Sequence, residues 1–146
     1  MTAAFRQKFS RRAKGAKGRY VKGVMNANEQ AFARVLDEWK LNGRVLWYAH
    51  ESMTFKLAPK TSYTPDFMVV HDDLSLVAYE VKSGQKTGKP FTQGDAVVKM
   101  KLCAELFPHI PLIVTWVHKT YPRKYKEVGA HGADEITVGE LLEADE

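Results

Sequence analysis

Hydrophobic positions along the chain follow first a helical and then a strand period. From a cap at Asn26 or Asn28, Phe32, Val35, Leu36 and Trp39 recur at helical spacing, so a helix is expected to run to about Asn42, with Gly43 as its stop. β-favouring residues then take over across 44–57, among them Val45, Leu46, Trp47, Tyr48 and Phe55, until Pro59 interrupts them. Two further runs, 63–70 and 74–82, joined by His71, Asp72 and Asp73, predict an antiparallel hairpin. A Gly- and Lys-rich loop over 83–94 leads to a second helix from about residue 95 to 107, which Pro108 stops, and 110–117 reads as a buried strand. The basic, aromatic segment 119–126 either touches a nucleic-acid backbone or is solvated. Thr137 and Glu140 have the spacing of a capping box that opens a short acidic helix.

At 146 residues and 45% hydrophobic, the chain is expected to form one core-bearing domain over 26–146, preceded by a flexible basic arm over 1–25. The net charge of +5 is unevenly placed. Residues 1–28 hold eight Lys or Arg and no acid, which leaves 14 basic against 17 acidic side chains elsewhere, a net −3. Such an arm suits a polyanion, because each cation that neutralises a phosphate releases a counterion. Arg11, Arg12, Lys14, Lys17 and Arg19 are its candidate DNA contacts. The arm lacks the apolar stretch of a secretory signal and the serines and amphipathic pattern of an organelle-targeting segment. No apolar run approaches the ~18 residues that span a bilayer, and Cys103 is the single cysteine, so a soluble protein of a reducing cytoplasm is expected.

Chemistry concentrates in the predicted hairpin. In its second arm Leu74, Leu76, Ala78, Glu80 and Lys82 point one way and Val77, Tyr79 and Val81 the other. Both faces are largely apolar, as in an interior strand, so a carboxylate and an ammonium near its end need compensation. In the first arm Asp66 shares a face with Met68 and Val70. If Val70 pairs with Leu74, Asp66 faces Ala78; if Val70 pairs with Leu76, Asp66 faces Glu80. Either register makes the carboxylates neighbours, and crowded carboxylates favour a proton or a hard divalent ion such as Mg²⁺ between them, with Mn²⁺ as a substitute. Such an ion polarises a phosphoryl oxygen and supplies hydroxide, while Lys82 orients water or offsets charge on the phosphorane. The bland alternative is a strand-end aspartate beside an ordinary salt bridge.

Glu29 lies on the apolar side of the first helix and is a further candidate acid, although with Asn26 as cap it also fits the capping-box position. Gln93, Lys99 and Lys101 follow the acidic motif and are placed to reach phosphates, or else are solvated. The five histidines lack metal-ligand spacing and read as structural or surface residues, and Cys103 reads as core.

Pro65-Asp66 followed by Glu80-Val81-Lys82 resembles the motif of the PD-(D/E)XK nucleases, and the element order over 26–118 is similar to that superfamily's αβββαβ core. The resemblance implies an α/β, restriction-endonuclease-like fold with a central mixed sheet flanked by helices. Within it, the stretches 63–67 and 80–84 and the basic arm look most like bacteriophage endonuclease I, a Holliday-junction resolvase that works as an intertwined dimer. By that likeness Glu29, Asp66 and Glu80 would be metal-binding acids, the Val81 carbonyl a further ligand and Lys82 the catalytic lysine. The longer 83–94 loop and the shorter, acidic tail depart from that relative. The expectation is thus a Mg²⁺-dependent endodeoxyribonuclease acting on branched DNA, working as a homodimer in a host cytoplasm. A nuclease that restricts or degrades duplex DNA, and a non-catalytic nucleic-acid-binding protein, are the rivals.

Overall fold

The structure is a computed structural model that describes residues 21–90, 94–117 and 123–129, and residues 135–137 as backbone. Helix α1 spans Ala27–Leu41 and opens on a complete capping box. The Asn26 side chain accepts from the Glu29 N–H, and the Glu29 carboxylate accepts from the Asn26 N–H. It stops at Asn42, and Gly43 takes the left-handed φ of 77° that turns the chain into the sheet.

Strands β1 (Val45–His50), β4 (Phe67–His71), β5 (Leu76–Val81), β6 (Leu112–Val117), β7 (Arg123–Val128) and β8 (Glu135–Thr137) form one sheet in the order β1-β4-β5-β6-β7-β8. Only β5 and β6 run parallel, joined through helix α2 (Gly94–Leu106), so the sheet is mixed. Strands β2 (Phe55–Ala58) and β3 (Thr61–Tyr63) make a separate two-stranded ribbon. The fold is therefore α/β, with a helix on each face of a mixed sheet.

Each face has its own core. Phe32, Leu36 and Trp39 of α1 pack on Val69, Val77, Tyr79 and Ile113. Met100 and Cys103 of α2, with Phe55, Leu57 and Tyr63 of the ribbon, cover Met68, Ala78, Leu112 and Trp116 on the other side. A fully buried side chain of this size stabilises by about 1.5–3 kcal/mol, so these two clusters fix which way every residue of β4 and β5 points.

Several expectations need correction. The run 44–57 is two strands, because Glu51 adopts a φ of 47° and sends the chain out of the sheet. The run 63–70 divides at Thr64-Pro65-Asp66, where the chain crosses from the ribbon back to the sheet. Segment 119–126 contributes to strand β7: Tyr125 is buried in the core, and the Arg123 guanidinium lies 5.2 Å from the centroid of the Phe32 ring. Thr137 ends β8, and the acidic helix expected after it lies outside the described residues. Among the described residues no helix is long and apolar enough to cross a membrane.

Candidate active site

The register of the β4–β5 hairpin is fixed by its turn. Leu74 takes a φ of 68°, and the Asp73 side chain accepts from both the N–H and the hydroxyl of Ser75. Val70 consequently pairs with Leu76, Met68 with Ala78 and Phe67 with Tyr79. One more step along that register sets Asp66 opposite Glu80, the second of the two pairings open to the sequence.

The N–H groups of Ala78 and Lys82 donate towards β6, to Pro111 and Thr115, so Val81 between them turns its N–H and carbonyl towards β4. Its N–H donates to Asp66 Oδ2 at 2.8 Å. The β4–β5 ladder ends at Phe67 and Tyr79, and the chain before it holds Pro65, which has no N–H to give the Val81 carbonyl. The backbone at Val81 thus anchors Asp66 with one group and offers an oxygen with the other.

Glu80 is only 8% exposed and is held at both oxygens. Tyr63 donates its hydroxyl to Oε2 at 2.6 Å, and Lys82 Nζ lies 3.1 Å from Oε1. Burial and the Glu80 charge push the Tyr63 phenol well above its ordinary value, so it remains a donor.

Glu29 arrives from the N-terminus of α1 and is 7% exposed. Its Oε2 accepts from the Asn26 N–H at 3.0 Å and lies 3.2 Å from His50 Nε2. The capping box and the site-facing placement therefore coexist, as the box engages Oε2 alone. Asn28 Nδ2 donates to Ser83 Oγ at 3.1 Å and ties this helix end to the chain just beyond Lys82.

The acids feel one another. The Asp66 carboxyl is pushed up to about 8, first by burial and then by the Glu80 charge, with Glu29 adding to the rise; the Val81 N–H and Lys82 oppose it. Among the described residues neither Asp66 Oδ1 nor Glu29 Oε1 accepts a hydrogen bond. Two oxygens of crowded carboxylates that accept no hydrogen bond among the described residues, beside the Val81 carbonyl, are a donor set that a hard divalent cation takes. Among the described residues no three His, Cys, Asp or Glu side chains already stand in a metal-holding arrangement. Glu80 is the member held by a donor at each oxygen, and each oxygen keeps a second lone pair that an ion could take.

Asp66, Glu80, Lys82 and Glu29, with Val81, thus converge at one end of the sheet. Lys99 and Lys101 are exposed on α2, with no hydrogen bond or ion pair to that group among the described residues. Gln93 and the arm residues Arg11, Arg12, Lys14, Lys17 and Arg19 lie outside the described residues. Cys103 is buried, and burial pushes its thiol up, as suits core rather than nucleophile. His71 is buried against the Tyr79 hydroxyl, a structural role, whereas His50 needs correction because it stands at the site beside Glu29.

Sequence reading also missed Tyr63 and Glu51. Tyr63 was visible only as an aromatic hydroxyl three residues before Asp66. The Glu51 N–H donates to the Asp66 carbonyl at 2.8 Å, and its carboxylate accepts from the Gly23 N–H at 3.0 Å. No family model matches the chain, and no curated protein or solved structure matches it either.

Proposed function

We propose that this protein is a divalent-cation-dependent endonuclease of the PD-(D/E)XK type that hydrolyses DNA phosphodiester bonds, with Mg²⁺ as the natural ion and Mn²⁺ as a substitute. The observation that carries this reading is the crowding of Asp66, one residue before β4, with Glu80 near the end of β5, with Lys82 on Glu80 and Glu29 close enough to raise the Asp66 carboxyl. The order of elements supports it as well. With the β2–β3 ribbon taken as an insertion, the chain runs α1-β1-β4-β5-α2-β6, which is the αβββαβ order of a restriction-endonuclease-like core.

Asp66, Glu29, Glu80 and the Val81 carbonyl would hold the ion. Bound there, it would polarise a phosphoryl oxygen and favour the charge that develops on the phosphate. Val81 fixes the Asp66 carboxylate through its N–H, and the Asn26 N–H and His50 do the same for Glu29. Lys82, whose ammonium lies 3.1 Å from Glu80, would stand beside the scissile phosphate. There it would hold the attacking water or offset the negative charge that develops on the phosphate. Burial of these groups in a low-dielectric end of the sheet strengthens each of those interactions.

Branched DNA is the proposed substrate, on the likeness of residues 63–67 and 80–84 to the endonuclease I type, with two copies acting together. The test is cleavage of a four-way junction, a flap and a plain duplex at equal concentration, with Mg²⁺ and with chelator. Mg²⁺-dependent cutting that favours the junction is expected. Equal cutting of plain duplex would overturn the branched-DNA assignment, and no cutting of any substrate would overturn the nuclease.

A further inference from the structure

The chain leaving Lys82 folds into a miniature hairpin. Gly84 bridges Pro90 in antiparallel fashion, Gln85 N–H donates to the Lys89 carbonyl at 2.7 Å, and Gly88 N–H donates to the Gln85 carbonyl at 3.0 Å. Gly88 carries a φ of 82°, the left-handed residue that a three-residue hairpin loop requires after its turn. Lys86 and Thr87 form the tip, and Lys86 and Lys89 are both exposed. From Ser83 to Gly94 there is no acidic side chain, so this hairpin is cationic.

Its position is also fixed. The Trp116 indole N–H donates to the Gly88 carbonyl at 2.8 Å. Trp116 is 2% exposed and packs with Tyr63, Met68, Ala78 and Val114 on one face of the sheet. Glu80 alternates with Ala78 and Leu76 towards that same face, and Asp66 with Met68. At its base, Ser83 is tied to Asn28 at the start of α1, one residue from Glu29. The hairpin therefore rises on the carboxylates' own side, from the strand end that bears Lys82.

We infer that the hairpin over 83–90 is a preformed DNA-backbone clamp, in which Lys86 and Lys89 neutralise phosphates flanking the bond held at Asp66 and Glu80. This role rests on the nuclease reading for the identity of the site and deepens it by naming what grips the substrate. Two backbone hydrogen bonds and a buried indole hold the hairpin in the free protein, so its lysines reach a phosphate without first ordering a loop. Phosphate contacts of this kind position the duplex without reading its sequence.

The test is duplex and junction binding by the full chain in the presence of chelator, across a salt series, comparing wild type with the Lys86→Ala/Lys89→Ala double variant. Each phosphate contact contributes about 0.9 to the slope of log Kd against log salt, so a fall of roughly 2 is expected. The Lys86→Arg/Lys89→Arg variant should restore the wild-type slope. An unchanged slope and affinity in the alanine variant would overturn the clamp. If wild type cuts no DNA with Mg²⁺ yet loses slope with the alanines, the nuclease reading fails and the clamp stands. If it cuts and the slope is unmoved, the reverse holds.

Discussion

Asp66, one residue before β4, lies beside Glu80 of β5, and its carboxyl is pushed up to about 8 by burial and by that neighbour. An unfolded aspartate ionises near 3.8, so between those two values the folded protein binds more protons than the unfolded chain. Stability contributed by the protonated carboxyl is present at low pH and is lost as pH rises through that window. The melting temperature of the metal-free protein, minus that of Asp66→Asn, should fall from about pH 5 to about pH 8, and Mg²⁺ should reduce the fall by favouring the ionised form. A pH-independent difference between the two proteins would show that Asp66 is not held protonated.

Tyr63 positions Glu80 through a 2.6 Å hydrogen bond in a buried setting. Tyr63→Phe keeps the ring in its core and removes only the hydroxyl. Loss of such a supporting contact costs about 10–100-fold in metal affinity or activity. Mg²⁺ titration of the variant should show that loss with little change of fold by circular dichroism. Wild-type affinity in Tyr63→Phe would mean that Lys82 alone orients Glu80.

Glu29 closes the capping box of α1 and is also a proposed ligand of the ion, and one substitution separates the two roles. Glutamine also serves at the third position of a capping box, so Glu29→Gln should leave the melting temperature close to wild type while weakening divalent-ion affinity by removing a charge. Asn26→Ala should do the opposite to the helix, costing about 1 kcal/mol of stability. If Glu29→Gln binds Mg²⁺ as tightly as wild type, Glu29 is a cap and no more.

His50 supports Glu29 from β1, with its ring 5.3 Å from that of Phe67. His50→Ala should weaken Mg²⁺ affinity, in the same range as other second contacts to a ligand, about tenfold or more. Glu29→Gln/His50→Ala should be no weaker than Glu29→Gln alone, since His50 acts through that carboxylate. Additive losses would assign His50 an independent role.

The acid–lysine group was legible because its residues are wrong for their surroundings: Asp66, Glu80 and Lys82 interrupt apolar strand faces, and alternation alone sets them on one side. The register was legible only as two options, since the choice depends on the left-handed Leu74, which its residue type does not announce. The same holds for Glu51, whose φ of 47° divides a run that reads as one strand. Strand β7 was hidden because one of its inward positions is Arg123, an ion that burial normally excludes and that here lies over Phe32 and donates to Thr115. His50 was passed over because it acts on a carboxylate 21 positions away, which no local spacing reveals.

The central claim is that Asp66, at this strand end, serves Mg²⁺-dependent cleavage of DNA. Single-turnover cleavage of a labelled four-way junction by wild type and Asp66→Asn, with binding measured in parallel, tests it directly. The variant should bind DNA as wild type does and cut at least about a hundredfold more slowly. Equal cleavage rates in the two proteins would contradict it.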